Sequence, residues 1–198
     1  MLDQCGVNDE ARCRVLHQDG SFDFPAPTRD SARMWGVFHC RCVGSDGVVK
    51  WEDDAYNLIV NSGLNDVLNA YIRDTTQSAN WYMGLVDNAS FTAFAAGDVF
   101  GGTPSHAGWI ENAAYSNGTR PAWAPGAASG QSITNASTVN FSINANTQTI
   151  HGLFIINNAT ISGTAGTLFS EAAFNGGNQP VNNGDTLQCT YTLSLASN

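Results

Sequence analysis

The chain has 198 residues, 42% of them apolar with five Trp and ten Phe, enough to bury a core and too apolar for a disordered polymer. A formal charge of −9, from 8 basic and 17 acidic residues, excludes two partners that need clustered Lys and Arg: a nucleic-acid backbone and an anionic membrane surface. No apolar run reaches membrane-spanning length. Met1-Leu2-Asp3-Gln4-Cys5 lacks the basic start and apolar segment of a signal peptide, so synthesis in the cytoplasm is expected.

Residues 1–30 mix charges, break at Asp19-Gly20 and Pro25-Ala26-Pro27, and show no sustained period. They are expected to form an extended arm with one short helical turn near Glu10–Leu16, ahead of a single domain over 31–198. From Arg33 the period becomes two: Arg33, Trp35, Val37, His39 and Arg41 alternate with Met34, Gly36, Phe38, Cys40 and Cys42, as on a strand. Ser45-Asp46-Gly47 reads as a hairpin turn, Val48–Trp51 as the returning strand, and Tyr56–Val60 as a further one. Glu52-Asp53-Asp54 between them reads as a solvated turn, because it lacks the alternating oxygen ligands and the Gly of a calcium loop.

Leu64, Val67, Leu68, Tyr71 and Ile72 recur at three- and four-residue steps and predict a helix whose apolar stripe lies on the sheet or plugs one end of it. Asn61 or Ser62 is its expected cap. Trp81–Val86 reads as a buried strand and Phe91–Asp98 as a short irregular one. Gly101–Pro125 is a long Gly/Pro-rich loop carrying Trp109, Tyr115, Arg120 and Trp123. Strand patterns then follow over Ser132–Ile143, Gly152–Ile156, Thr167–Phe174 and Leu187–Leu195, the last introduced by the turn Asn182-Asn183-Gly184-Asp185. Short strands separated by turn residues predict an all-β, antiparallel, jelly-roll-like sandwich with one short α-helix and an extended N-terminal arm.

Catalysis needs clustered titratable groups, and they are sparse. From Asp74 to the C-terminus there is one basic residue, Arg120, and six acidic ones, Asp74, Asp87, Asp98, Glu111, Glu171 and Asp185. On a strand His39 faces away from Cys40 and Cys42, so the three do not converge on one ion. Cys5, Cys13 and His17 make three ligands without a partnered motif. His106 and Glu111 lack the His-x-His pair of a cupin, His151 stands alone before an apolar strand, and Ser129 lacks the spacing of a nucleophile elbow. Five cysteines at low density read as reduced thiols. Trp109, Tyr115 and Trp123 fit either sugar stacking or packing, at an interface or inside the loop, and Arg120 suits a buried pair with Glu111 or Asp98. No catalytic residue, cofactor or metal is expected.

Several segments together resemble virion proteins of tailed bacteriophages, in particular the decoration (cement) proteins of short-tailed phage heads. They are Asn57-Leu58-Ile59-Val60-Asn61-Ser62-Gly63-Leu64-Asn65, Trp81-Tyr82-Met83-Gly84-Leu85, Ser105-His106-Ala107-Gly108-Trp109-Ile110-Glu111 and Tyr115-Ser116-Asn117-Gly118-Thr119-Arg120-Pro121. Phe141-Ser142-Ile143-Asn144 and Asn183-Gly184-Asp185-Thr186-Leu187 belong to the same resemblance, which spans about Trp35 to Leu195. It implies a non-enzymatic jelly-roll-like protein on the capsid exterior, dimeric or trimeric, bound to the assembled major capsid protein. The arm 1–30 and the loop residues Trp109, Tyr115, Arg120 and Trp123 are the expected contacts. A tail, fibre or head-spike component and a carbohydrate-binding module are the alternatives.

Overall fold

The computed structural model describes residues 15–16, 22–23, 32–100, 105–106 and 108–197. The chain divides into two compact units, Met1–Arg33 with Ser197–Asn198, and Met34–Ala196. In the first, β1 (Val15–Leu16) pairs antiparallel with β2 (Phe22–Asp23), Val15 opposite Asp23 and Leu16 opposite Phe22. Val15 and Leu16 are therefore extended, against the helical turn expected there. The rest of the expected arm, with Cys5, Cys13 and His17, lies outside the described residues.

The second unit is built on β3 (Ala32–Val43), β4 (Val49–Ile59), β5 (Trp81–Asp87), β6 (Ser105–His106), β7 (Trp109–Asn112), β8 (Ala122–Trp123), β9 (Ser132–Thr134), β10 (Val139–Ser142), β11 (Gln148–Ile156), β12 (Leu168–Ala173), β13 (Gln179–Val181) and β14 (Thr186–Ser197). Its sheet runs β10-β14-β3-β4-β12-β11-β5-β7-β6, with β13 on β11, β8 on β5 and β9 on β14. Phe141 and Val139 from one end of that path share a core with Met83 and Leu85 near the other. One sheet can bring both ends to one core only by curling until its halves face each other. The result is the expected all-β antiparallel sandwich.

The period-two patterns of β3 and β14 land as expected except at Leu195, which is exposed, whereas Ser132–Ile143 breaks into β9 and β10 and the expected 101–125 loop carries the short strands β6, β7 and β8. In β3, Phe38, Cys40 and Cys42 are buried while His39 and Arg41 are exposed; in β14, Leu187, Cys189 and Tyr191 point inward. Gly47 closes the first hairpin at φ +79°, a conformation that glycine adopts without strain, and its N–H donates to the Gly44 carbonyl.

Three further expectations are corrected. The strands expected over Val48–Trp51 and Tyr56–Val60 are a single strand, β4 (Val49–Ile59), which runs unbroken through Glu52-Asp53-Asp54. The acidic run survives in a strand because two of its members have partners: Asp53 accepts from Gly176 N and Gln179 Nε2, and Asp54 pairs with His39 across the ladder. Phe91–Asp98 is a loop, held by a turn in which Asp98 N donates to the Ala95 carbonyl, and its rings pack on the sheet's outer face.

The third correction concerns the helix. It forms as α1 (Asn61–Val67) and widens into a π-helical turn over Leu68–Ile72, where Arg73 N reaches the Leu68 carbonyl. Val60 occupies the cap position without a side-chain bond, and Ser62 Oγ donates instead to the Leu168 carbonyl on β12. Apart from Val67, which packs against the core, the stripe points outward, not onto the sheet: Leu68, Tyr71 and Ile72 are 58%, 81% and 72% exposed. The face turned inward is Gly63, Asp66, Val67 and Ala70. Gly63 decides this orientation, since a Cβ there would sit 2.3 Å from the Phe169 carbonyl oxygen.

Gly63→Ala therefore pushes α1 off β12. Better helix propensity offsets part of the overpacking cost, leaving a net loss of about 1–2 kcal/mol, read as a lower urea midpoint.

Candidate functional site

All four residues expected at a partner surface have buried side chains. The sequence brings them inward because each ring or charge has a partner waiting on a strand. Arg120 follows the exposed turn Ser116–Thr119, and its Nε and Nη2 donate to Glu111 Oε1 and Oε2, both at 2.8 Å. Nη1 donates to the Asn158 carbonyl at 2.8 Å, and the guanidinium carbon lies 4.9 Å from the centre of the Phe100 ring. Of the two acids open to Arg120, the pair is made with Glu111, whose β7 position aims it inward beside Asn112.

Glu111 is saturated. Oε1 also accepts from Tyr115 Oη at 3.2 Å, and Oε2 from Ser162 N at 2.7 Å. Burial, and next the charge of Glu111, push the Tyr115 phenol far above its ordinary range, so it serves as a donor. Tyr115 also sets its ring edge-on to Phe141, 5.1 Å between centres. Trp123 donates from Nε1 to the Tyr191 carbonyl at 3.2 Å and packs edge-on against the Tyr191 ring.

Trp109 belongs to a second apolar cluster on the outer face of the sheet, with Val60, Val86, Phe100, Phe154, Ile156 and Leu168. Its Nε1 donates to Glu171 Oε2 at 2.9 Å, while Ala95 N donates to Glu171 Oε1 at 3.2 Å and to Asp98 Oδ2 at 2.8 Å. Burial, reinforced by the hydrogen bond and charge of Asp98, pushes the Glu171 carboxyl up to about 9 against the opposing donors Trp109 and Ala95. Glu171 thus keeps its proton at neutral pH and ties the 91–98 loop to β12.

Of the remaining candidates, Cys5, Cys13, His17 and the His106 side chain lie outside the described residues. Cys40 and Cys42 face the core and His39 faces solvent beside Asp54. His151 stacks on Phe91 and shares a hydrogen bond with Asn178 Oδ1 at 2.7 Å. Ser129 closes a turn with Ser132, each N–H donating to the other's carbonyl. Among the described residues no three His, Cys, Asp or Glu side chains converge where they could hold a metal ion.

Most of the apolar helical stripe lies outside the core. A groove of about 600 Å³ runs between the helical segment and the sheet, lined by Val67, Ala70, Tyr71, Trp81, Pro125 and Ile133, with Trp123 also on its wall. Leu64, Leu68, Tyr71 and Ile72, at i, i+4, i+7 and i+8, continue the apolar surface along the outer helical face. The 3.6-residue period identified this stripe; nothing in the period says which side of a helix meets the sheet.

Replacing Arg120 by Met strands a buried carboxylate, and replacing Glu111 by Leu strands a buried guanidinium. Each single change lowers unfolding free energy by about 3–5 kcal/mol, while the double variant recovers most of the loss in a denaturant titration. For Glu171 the ordinary value is 4.5 and the folded value about 9. Between them the folded chain holds one more proton than the unfolded chain, so this contribution is complete below 4.5 and declines as pH rises to about 9. Glu171→Gln does not titrate, and its melting temperature falls less steeply than the wild type's across that window. No family model matches this chain, and neither a curated protein nor a solved structure matches it.

Proposed function

We propose that this chain is a structural virion protein of a tailed phage, a decoration protein on the capsid exterior that binds and stabilises the assembled major capsid protein as a dimer or trimer. The observation that supports this reading most is the exposed apolar face Leu64, Leu68, Tyr71 and Ile72 beside its groove. Apolar residues scattered singly on a surface need no explanation, but four on one helical face next to an apolar groove mark an interaction surface. The buried charged side chains Asp98, Glu111, Arg120, Glu171 and Asp185 each have a structural partner, which suits a protein whose work is contact. Contacts present only on the assembled shell stabilise that shell by mass action.

The surface for this role moves accordingly, from the rings of Trp109, Tyr115 and Trp123 to the helical face, with Trp123 contributing through the groove wall. Sugar stacking needs exposed rings, and Trp109 and Trp123 are 1% and 6% exposed, so the carbohydrate-binding alternative loses its support. No described helix is long and apolar enough to cross a membrane.

Cosedimentation with phage heads stripped of the protein tests the reading. The wild type is expected to bind saturably at a fixed ratio to capsid protein. The triple variant Leu68→Ser, Tyr71→Ser, Ile72→Ser weakens binding by at least about tenfold, and removal of residues 1–30 weakens it as well. Failure to bind heads, with recovery on tails or on bacterial surface glycans, overturns it.

A further inference from the structure

Strands β3 and β14 are neighbours in the sheet. Two contacts define their register: the Phe38 ring stacks on Tyr191 at 4.3 Å, and Arg41 Nε donates to Gln188 Oε1 at 2.7 Å. The first pair lies on the inner face and the second on the outer, and numbering rises on one strand as it falls on the other. Two steps along from Phe38–Tyr191, the same antiparallel register sets Cys40 directly opposite Cys189. Both are buried, and their sulfurs are in contact at 2.6 Å.

We infer that Cys40 and Cys189 form a cross-strand disulfide when the chain folds in the presence of a disulfide oxidant. Directly opposed residues of an antiparallel ladder have Cα atoms about 4.5–5.5 Å apart, within the span a disulfide bridges. The third described cysteine does not compete. Cys42 lies two residues along the same face, its Sγ donates to Asp185 Oδ2 at 3.6 Å, and burial followed by the Asp185 charge pushes its thiol up to about 12. Burial also raises the Cys40 thiol well above its ordinary value, so the finished core exchanges slowly. The bond therefore closes during folding, while both thiols are still open to solvent.

With oxidised glutathione as the acceptor, the first cysteine's thiolate attacks one glutathione sulfur and expels a glutathione thiolate, leaving a mixed disulfide. The second cysteine's thiolate attacks the protein sulfur of that mixed disulfide and expels the other glutathione thiolate. Two protein thiols become one disulfide, one glutathione disulfide becomes two thiols, and the two cysteine protons pass through solvent to the departing thiolates. The link joins positions 149 residues apart and ties the first long strand of the domain to its last. So long a loop restricts the unfolded chain strongly, which raises the melting temperature by roughly 10 °C.

The test is refolding of the full-length reduced chain in a buffer of oxidised and reduced glutathione, followed by alkylation, intact mass and non-reducing peptide mapping. After alkylation the expected product carries two alkyl groups fewer than the reduced chain treated the same way, yields a linked Cys40–Cys189 peptide pair, and melts higher. Cys40→Ser and Cys189→Ser each abolish the link and the higher melt, whereas Cys42→Ser keeps both. Recovery of Cys40 and Cys189 as alkylated thiols, as glutathione adducts, or joined to other cysteines overturns the assignment. Should the serine variants fail to fold, the wild-type peptide map still decides it.

Discussion

Arg120 carries the only formal positive charge between Asp74 and the C-terminus, and it is enclosed by protein on every side. A guanidinium removed from water is tolerable only if its fork is matched by a carboxylate and its remaining N–H groups are satisfied. Glu111 supplies the match and Asn158 takes the third side. That requirement reaches beyond the pair. Glu111 also receives Tyr115 and Ser162, and the Arg120 backbone N–H bonds the Ala159 carbonyl. Three connecting segments, around 111–115, 118–121 and 158–162, are thus tied at one point that tolerates little displacement. A long Gly/Pro-rich stretch that would otherwise be costly to order is held in a single conformation.

The same economy appears on the outer face of the sheet. A sheet curled around one core still has a second face, and where β11, β12 and β5 carry Phe154, Ile156, Leu168 and Val86 outward that face is apolar. The 91–98 loop and Trp109 cover it. They are held by polar bonds to Glu171, a carboxyl whose burial favours the neutral form and so lets it act as both donor and acceptor. Covered on both sides, the central strands can be nearly continuous in apolar residues, as β11 is from Gly152 to Ile156.

Where cover ends, the surface becomes informative. The helical segment lies close to β12 through Gly63 and so presents its bulky side chains to solvent. Burying Leu64, Leu68, Tyr71 and Ile72 against the sheet would have removed more apolar area from water in the isolated chain. The fold instead leaves them exposed beside a groove, a face that the proposed shell-binding role would use.

The sequence by itself determined the fold class, because a period of two, turn residues and scarce charge are local properties of a chain that pairs in antiparallel strands. It also determined which strand residues point inward, from Phe38 through Cys42 and from Leu187 through Tyr191, and that Arg120 would seek a buried acid. The tertiary structure alone decided everything that depends on which neighbour arrives. Glu52–Asp54 extends as a strand because Gly176, Gln179 and His39 come to meet it. Trp109, Tyr115 and Trp123 could have served a surface or a core, and Glu171, Glu111 and Tyr191 drew them in. The helix stripe was legible, but its direction was not. Periodicity reports that side chains share a face, whereas the face that packs is set by how closely two backbones approach, and here the missing Cβ of Gly63 sets it.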